Sequence, residues 1–193
     1  MKNSILSTLN ESANILNVFI SDESNIQKIA SAVEIMVSSL ENGGKIIACG
    51  NGGSLCDATH FCEELTARFR KNRKALPAVA INDPAFITCA VNDFNPQDVF
   101  ARYIEAMGKN GDVLLAISTS GNSENVLRAS KLAREMGIKI VALTGKSGGK
   151  LGEFADVEIR APFSEYSDRA QEIHIKVIHI LVQEIENLLI YKK

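Results

Sequence analysis

Apolar residues recur at helical spacing through the first forty residues of the chain, before any strand-like pattern begins. This spacing predicts one helix over about 3–20 and a second over about 24–41. The apolar positions are Ile5, Leu9, Ala13 and Leu16 in the first helix, and Ile26, Ile29, Val33, Met36, Val37 and Leu40 in the second. We therefore expect residues 1–42 to form N-terminal helices that precede the main fold.

From Lys45 onwards, short apolar runs alternate with helical segments. The runs predict strands at 45–49, 77–81, 112–118, 139–144 and 156–160. The segments between and after them predict helices near 54–69, 84–92, 97–107, 123–136 and 166–190. This alternation is typical of an α/β protein with a five-stranded parallel sheet flanked by helices on both faces. Since the chain contains no long linker, we expect a single domain over 1–193, with its α/β core at 43–193.

The predicted fold is flavodoxin-like, with strand order 2-1-3-4-5. In that order the first and third strands are neighbours, and ligands bind in the crevice at their carboxyl ends. Two polar, glycine-containing loops follow these two strands, GNGGS at 50–54 and STSGNS at 118–123. The sequence therefore places a ligand between these loops.

The second loop contains four hydroxyl side chains in six positions, and a helix is predicted to follow it. These are Ser118, Thr119, Ser120 and Ser123. Hydroxyls and backbone N–H groups at a helix N-terminus suit a phosphate group, and Gly121 would allow close backbone approach. An ordinary serine-rich helix cap is the simpler alternative, but one or two such residues would suffice for it.

The first loop, with Asn51, Gly52 and Gly53, matches neither a dinucleotide-binding fingerprint nor a Walker A sequence. We therefore expect neither a dinucleotide nor a nucleoside triphosphate. The loop is either a tight strand-to-helix turn or a set of backbone contacts to a small polar ligand.

Composition and charge narrow the function further. Net charge is −2 and hydrophobic residues make up 46% of the chain, which predicts a sizeable core and gives no general sign of nucleic-acid binding. The apolar runs are too short or too charged for a membrane span, and the N-terminus resembles no signal peptide, so we expect a cytoplasmic protein. The four cysteines form no C-x-x-C pair and are expected to be buried, reduced thiols.

One local run, RFRKNRK at 68–74, is strongly basic. Its simplest interpretation is a solvated helix end and loop. Attraction of an acidic substrate, chiefly by Arg68, and contact with nucleic acid are the alternatives.

Two pairs of polar residues share helical faces. His60 and Glu64 are four residues apart, whereas Gln171 and His179 lie two turns apart on the last predicted helix. By itself the first pair is more typical of a surface contact, and Glu63 is a competing carboxylate. His179, framed by isoleucines, would by default be a core or interface residue.

Several blocks of the chain together resemble a known family. GNGGS-x-x-D-A-x-H-F-x-x-E-L, NDF, GDVLLAISTSGNS, ALTGKSGG and DRAQEIHIKVIHILVQ-x-IE closely resemble the phosphoheptose isomerases of the sugar isomerase (SIS) fold. The resemblance covers nearly the whole chain, and the blocks occur in the same order. It implies a homotetramer with active sites at subunit interfaces, a bound zinc ion and a sugar phosphate substrate.

The resemblance also implies a role for particular residues. It implies the zinc ligands His60, Glu64, Gln171 and His179. It implies that the sugar phosphate is contacted by Asn51, Gly52, Gly53, Glu64, Asn92, Asp93, Ser118, Thr119, Ser120, Ser123 and Gln171. Without the resemblance, Asn92 and Asp93 would be interpreted as a plain turn after a helix.

The implied activity is interconversion of sedoheptulose 7-phosphate and D-glycero-D-manno-heptose 7-phosphate in bacterial heptose biosynthesis. Glu64 would be the base and His179 the acid of this aldose–ketose isomerisation. Two alternatives are a non-catalytic SIS-fold scaffold that binds the replication initiator and an isomerase of another sugar phosphate. In the resemblance the scaffold lacks the counterparts of Glu64 and His179, and this chain has both, which favours the enzyme.

Overall fold

A parallel sheet of five strands forms the centre of the chain, as seen in a computed structural model that describes residues 1–192. The strands are β1 (Ile46–Gly50), β2 (Ala78–Ala80), β3 (Val113–Ser118), β4 (Lys139–Thr144) and β5 (Val157–Arg160). Their order is β2-β1-β3-β4-β5, and every neighbouring pair is parallel. Both the predicted fold class and the predicted strand order are confirmed.

Helices precede the sheet, connect its strands and end the chain. They are α1 (Lys2–Ser21), α2 (Glu23–Glu41), α3 (Gly53–Thr66), α4 (Pro84–Asp93), α5 (Val99–Met107), α6 (Glu124–Glu135), α7 (Gly149–Phe154) and α8 (Ser167–Glu186). A 3₁₀ turn at Pro96–Asp98 leads into α5, and a π-helical segment, Asn187–Tyr191, follows α8. The sequence pattern predicted no helix between β4 and β5 and so missed α7, which begins directly after Gly148, a residue with a φ of +84°.

Alternating side chains of the strands fill two cores, one on each face of the sheet. Ile46 and Ala48 of β1 pack on the same side as α2, α3 and α8, whereas Ile47 and Cys49 pack on the side of α5 and α6. The central strands β1 and β3 are buried along their whole length, as expected for a sheet covered on both faces. The pairing of β1 with β3 places their carboxyl ends side by side beneath this double cover.

The first helix differs from the sequence interpretation in the side it buries. Ile5 and Leu9, which begin its apolar stripe, are more than half exposed on the single chain, and α1 instead packs through Phe19, Ile15 and Leu16. An apolar stripe therefore remains on the surface of one protomer. No helix within 1–192 has the length and apolar character that crossing a bilayer requires.

The cysteines also divide differently from expectation. All four, which lie within the described range, are free thiols. Cys49 and Cys62 are buried, and burial raises the pKa of each thiol to about 12. The expectation of burial is wrong for Cys56 and Cys89, which lie on exposed faces of α3 and α4.

Candidate active site

The two polar loops begin at the same level of the sheet. The register pairs Gly50, the last residue of β1, with Ile117 near the end of β3, so the chain leaves both strands at one edge. Asn51 in the first loop and Asn125 in the first turn of α6, directly after the second loop, form two reciprocal side-chain amide hydrogen bonds of 2.9 Å. The loops therefore lie next to each other at the topological switch point between β1 and β3, where the order of the strands reverses.

The hydroxyl side chains of the second loop converge on one another. Ser118 Oγ is buried and lies 3.0 Å from Ser123 Oγ and 3.5 Å from Ser120 Oγ. Ser123 immediately precedes α6, yet it directs its hydroxyl toward Ser118 rather than toward the backbone of the helix. This arrangement favours an anion site over an ordinary serine cap, because a capping serine would bond to the helix amides. Thr119 is partly exposed beside them.

Gly121 in this loop is required by the fold itself. Its φ is +65°, and a side chain there would overlap the carbonyl oxygen of Gly148 in the loop after β4. The sequence assigned the close approach at Gly121 to a bound ligand. The structure shows in addition a close contact with the backbone of the neighbouring loop, which is a structural reason for glycine at this position.

The first loop leads directly into α3. Gly52 precedes the helix with φ +55°, and the first helical residue, Gly53, lies against the side chain of Gln171 on α8. Any side chain at Gly53 would overlap the Gln171 carboxamide. The glycines therefore bring the N-terminus of α3 into contact with α8 as well as shaping a turn.

Two imidazoles and a carboxylate converge where α3 faces α8. His60 Nε2 lies 3.0 Å from His179 Nε2 and 3.5 Å from Glu64 Oε1. One donor atom from each of the three residues lies within 4.8 Å of the other two. Ligands at about 2.0–2.1 Å around a tetrahedral metal ion are separated by about 3.3 Å, so these spacings fit a metal ion with nitrogen and oxygen ligands.

Adjacent carboxylates take different positions around His60. Glu63 Oε1 lies 3.0 Å from His60 Nδ1, and its side chain is 52% exposed, whereas that of Glu64 is only 15% exposed. Glu63 thereby holds the ring with Nε2 turned toward His179 and Glu64. A carboxylate on the outer nitrogen of a histidine ligand commonly orients the ring in this way.

Asn92 and Asp93 form a separate exposed pair at the end of α4. Asn92 Nδ2 donates to Asp93 Oδ1 at 2.7 Å, and Cys89 Sγ donates to Asp93 Oδ2 at 3.3 Å. These hydrogen bonds, the one from Asn92 first, lower the pKa of Asp93. The interpretation of this pair as a turn after the helix is wrong, because both residues lie in its last turn. Within 1–192 of one protomer, the hydrogen bonds of Asn92 and Asp93 are to each other and to Cys89, not to the His60 cluster.

Asp57 is a partly buried carboxylate close to His60 that the sequence patterns did not single out. It lies one turn before His60 on α3, and its half-buried carboxyl has one oxygen, Oδ2, that finds no hydrogen-bond partner among the described residues. Burial raises its pKa to about 6, and the nearby charge of His60 lowers it. Its position three residues before His60 was the available signal, since i and i+3 residues share a helix face.

Comparisons with known proteins agree on one family. The family model described as the SIS domain matches residues 9–145. The chain is 56% identical to the phosphoheptose isomerase of Edwardsiella ictaluri over 94% of both chains. It is 55% identical to that of Cytophaga hutchinsonii over 98% of this chain and 100% of the relative.

A solved structure gives the same result. The phosphoheptose isomerase from Francisella tularensis superposes with a TM-score of 0.91 at 38% identity, covering 96% of this chain and 97% of that one. These similarities span the N-terminal helices, both polar loops and α8. The chain therefore belongs to the phosphoheptose isomerases of the SIS-domain family.

Proposed function

We propose that this enzyme interconverts sedoheptulose 7-phosphate and D-glycero-D-manno-heptose 7-phosphate in heptose biosynthesis, with Glu64 as the base and His179 as the acid. The observation that carries the proposal is the convergence of Glu64 and His179, whose donor atoms come from two different helices and lie within 4.8 Å of each other. The hydroxyl-rich loop after β3 supplies a candidate phosphate site in the same chain. The high identity to named phosphoheptose isomerases supports the substrate class.

The proposed reaction moves one proton between C1 and C2 of the open-chain sugar through an enediol. Glu64 removes the proton from one carbon and returns it to the other, while His179 donates a proton to the carbonyl oxygen as the enediol forms. The deprotonated His179 then takes the proton from the neighbouring hydroxyl as the new carbonyl forms, so that both groups return to their starting states. The hydroxyls of Ser118, Ser120 and Ser123 bind the phosphate at the far end of the sugar. This anchoring holds C1 and C2 beside the acid and base throughout the reaction.

We also propose that the site holds zinc, with His60, Glu64, Gln171 and His179 as ligands. The mutual spacing of three of these groups supports a metal ion. The fourth, Gln171, contacts Gly53, seven residues before His60 on α3, and its place among the ligands rests on the resemblance. A bound zinc ion would polarise the substrate oxygens and stabilise the negative charge of the enediolate. Because a metal-bound carboxylate is a weaker base, the base role of Glu64 requires its carboxylate to be free of metal when the proton moves.

We further propose a homotetramer with active sites at its subunit interfaces. The exposed apolar stripe of α1 supports an interface between copies of the chain. Asn92, Asp93 and the first-loop residues Asn51, Gly52 and Gly53 are exposed on one protomer and would contact substrate in the assembly. The free thiols agree with activity in the cytoplasm, where cysteines stay reduced.

The decisive experiment measures turnover of sedoheptulose 7-phosphate by the wild type and by Glu64→Gln. We expect the variant to lose about 1,000-fold in kcat, because the amide cannot accept the C–H proton. Near-normal turnover would remove Glu64 as the base. A parallel panel of hexulose and pentulose phosphates identifies the preferred substrate, and absence of turnover on every member would contradict an isomerase.

Comparison of His179→Gln with His60→Asn separates acid catalysis from metal binding. We expect kcat to fall, and zinc content per subunit, measured by elemental analysis, to fall with it. His60→Asn is the matched variant, since it removes a ligand but leaves the proposed acid and base in place. If both variants retain wild-type zinc content, the proposed ligand set is wrong.

A further inference from the structure

The basic run at 68–74 contains one arginine that is not solvated. The side chain of Arg73 is 1% exposed, and it pairs with Glu186, whose side chain is 3% exposed, at 2.7 Å from Nε to Oε1. Arg68, in contrast, is exposed. The interpretation of the whole run as solvated is therefore wrong for Arg73. An arginine buried this completely requires partners for all of its donors.

Those partners are the backbone at the end of α3. Arg73 Nη2 donates to the carbonyl oxygen of Glu64 at 2.6 Å, and Nη1 donates to that of Leu65 at 2.8 Å and, more weakly, to that of Ala67 at 3.2 Å. The last carbonyls of a helix have no partner within the helix, so a planar guanidinium with several donors can hold them together. Arg73 thus fixes the turn of α3 that carries the Glu64 carboxylate.

Glu186 connects this turn to α8. It lies seven residues after His179, which is about 10 Å or two turns further along the same helical face. His60 already contacts His179 between the two helices. The helices are therefore joined at two levels, by the imidazole pair at the site and by the Arg73–Glu186 ion pair beyond it.

We propose that Arg73 and Glu186 are positioning residues for catalysis, which together hold the Glu64 carboxylate at its distance from His179. The proposal rests on the roles proposed above for Glu64 and His179. A lysine could keep the charge at position 73 but could not bond to Glu186 and to two carbonyl groups in one plane. Displacement of Glu64 by about 1 Å would reduce turnover by about 100-fold.

The test compares Arg73→Lys and Glu186→Gln with a matched control, Asp112→Asn. Asp112 is also fully buried and accepts hydrogen bonds from the amides of Lys45 and Lys109 and from Lys45 Nζ. It lies at the amino end of the sheet, opposite the site. The control thus breaks a comparable buried network without touching α3 or α8.

We expect Arg73→Lys to lower kcat by about 100-fold and to change KM by less than about threefold. The hydroxyl-rich loop that is proposed to bind phosphate lies between β3 and α6, so the change at α3 leaves phosphate binding in place. Asp112→Asn should lower the melting temperature but keep the wild-type kcat at temperatures where it is folded. A folded Arg73→Lys with wild-type kcat would overturn the proposal. If Arg73→Lys does not fold, Glu186→Gln, which keeps the size and one acceptor of the side chain, decides the question by the same measurements.

A second readout does not depend on activity. The chain has only three histidines, so their ring signals in a ¹⁵N-histidine NMR spectrum can be assigned individually. We expect the His60 and His179 signals to shift in Arg73→Lys, while that of His174, buried against Thr144, stays unchanged. Equal shifts in Asp112→Asn, or none in Arg73→Lys, would overturn the proposed positioning role of Arg73 and Glu186 even if the wild type proves inactive. Inactivity of the wild type on all sugar phosphates would instead contradict the proposed function.

Discussion

At the scale of single residues, Glu63 and Glu64 show what helical spacing can and cannot predict. Both are within reach of His60 in sequence, and spacing alone left the choice between them open. The structure separates them by the side of the ring they contact, since Glu63 meets Nδ1 and Glu64 faces Nε2. That distinction depends on the position of His179, 119 residues further along the chain. Only the packing of α3 on α8 supplies it.

His174 is a second residue whose role the sequence alone could not give, because its neighbours on α8 resemble those of His179. It is fully buried, one ring nitrogen bonds to the Thr144 carbonyl oxygen, and the other has no partner among the described residues. Burial lowers its pKa from 6.5 to about 4. This histidine is therefore a neutral core residue at physiological pH.

A pH dependence of stability follows from the lowered pKa of His174. The unfolded chain takes up this proton near pH 6.5, whereas the folded chain takes it up only near pH 4. The wild type should therefore lose about 3 kcal/mol of unfolding free energy through this group as the pH falls from 6.5 to 4. Denaturant unfolding of wild type and His174→Gln over this range measures the effect. A difference between the two proteins that stays constant with pH would contradict it.

At the scale of elements, the alternation of apolar runs predicted all five strands, and the order common to flavodoxin-like sheets of this size predicted how they are arranged. The boundaries were less accurate, and β2 is shorter than the predicted 77–81. The short helix α7 was missed because its start coincides with two glycines, and six residues are too few to show helical periodicity. What periodicity could not supply was the contact between loops, which depends on backbone conformations at positive φ.

The contact of Gly121 with Gly148 predicts a large effect of a single methyl group. Gly121→Ala should lower the free energy of unfolding by about 3 kcal/mol, since the residue is left-handed and its side chain would overlap backbone atoms. Gly43→Ala is the control, because Gly43 has a φ of +76° but nothing within 4 Å of an added Cβ. It should cost only about 1 kcal/mol. Equal losses in chemical denaturation would show that the overlap is relieved.

At the scale of the whole molecule, one chain presents apolar and polar groups that its own fold does not use. The sequence predicted α1 correctly as a helix but could not show that its apolar stripe faces outward. Periodicity identifies which side of a helix is apolar but not whether that side packs against the chain's own core. The exposed stripe and the isolated Asn92–Asp93 pair both agree with the proposed homotetramer. The resemblance implied that assembly, and the pattern of residues alone did not.

Leu9→Glu tests the assembly directly. Leu9 is 62% exposed on the protomer, so a charge there should leave the fold of one chain intact but weaken a contact between copies. We expect a shift toward smaller species in analytical ultracentrifugation, together with lower turnover at equal subunit concentration. Ser7→Glu adds the same charge about 160° away around the helix and should leave the assembly unchanged. An unaltered tetramer, or a wild type that sediments as a monomer, would contradict an interface through this stripe.

The backbone contact between the loops after β3 and β4 also restricts how this region can change over evolution. A larger residue at the contacting glycine of either loop requires the other loop to change as well. The two segments are thus expected to vary together among descendants of this chain, although the second of them, around Gly148, contributes none of the proposed substrate contacts.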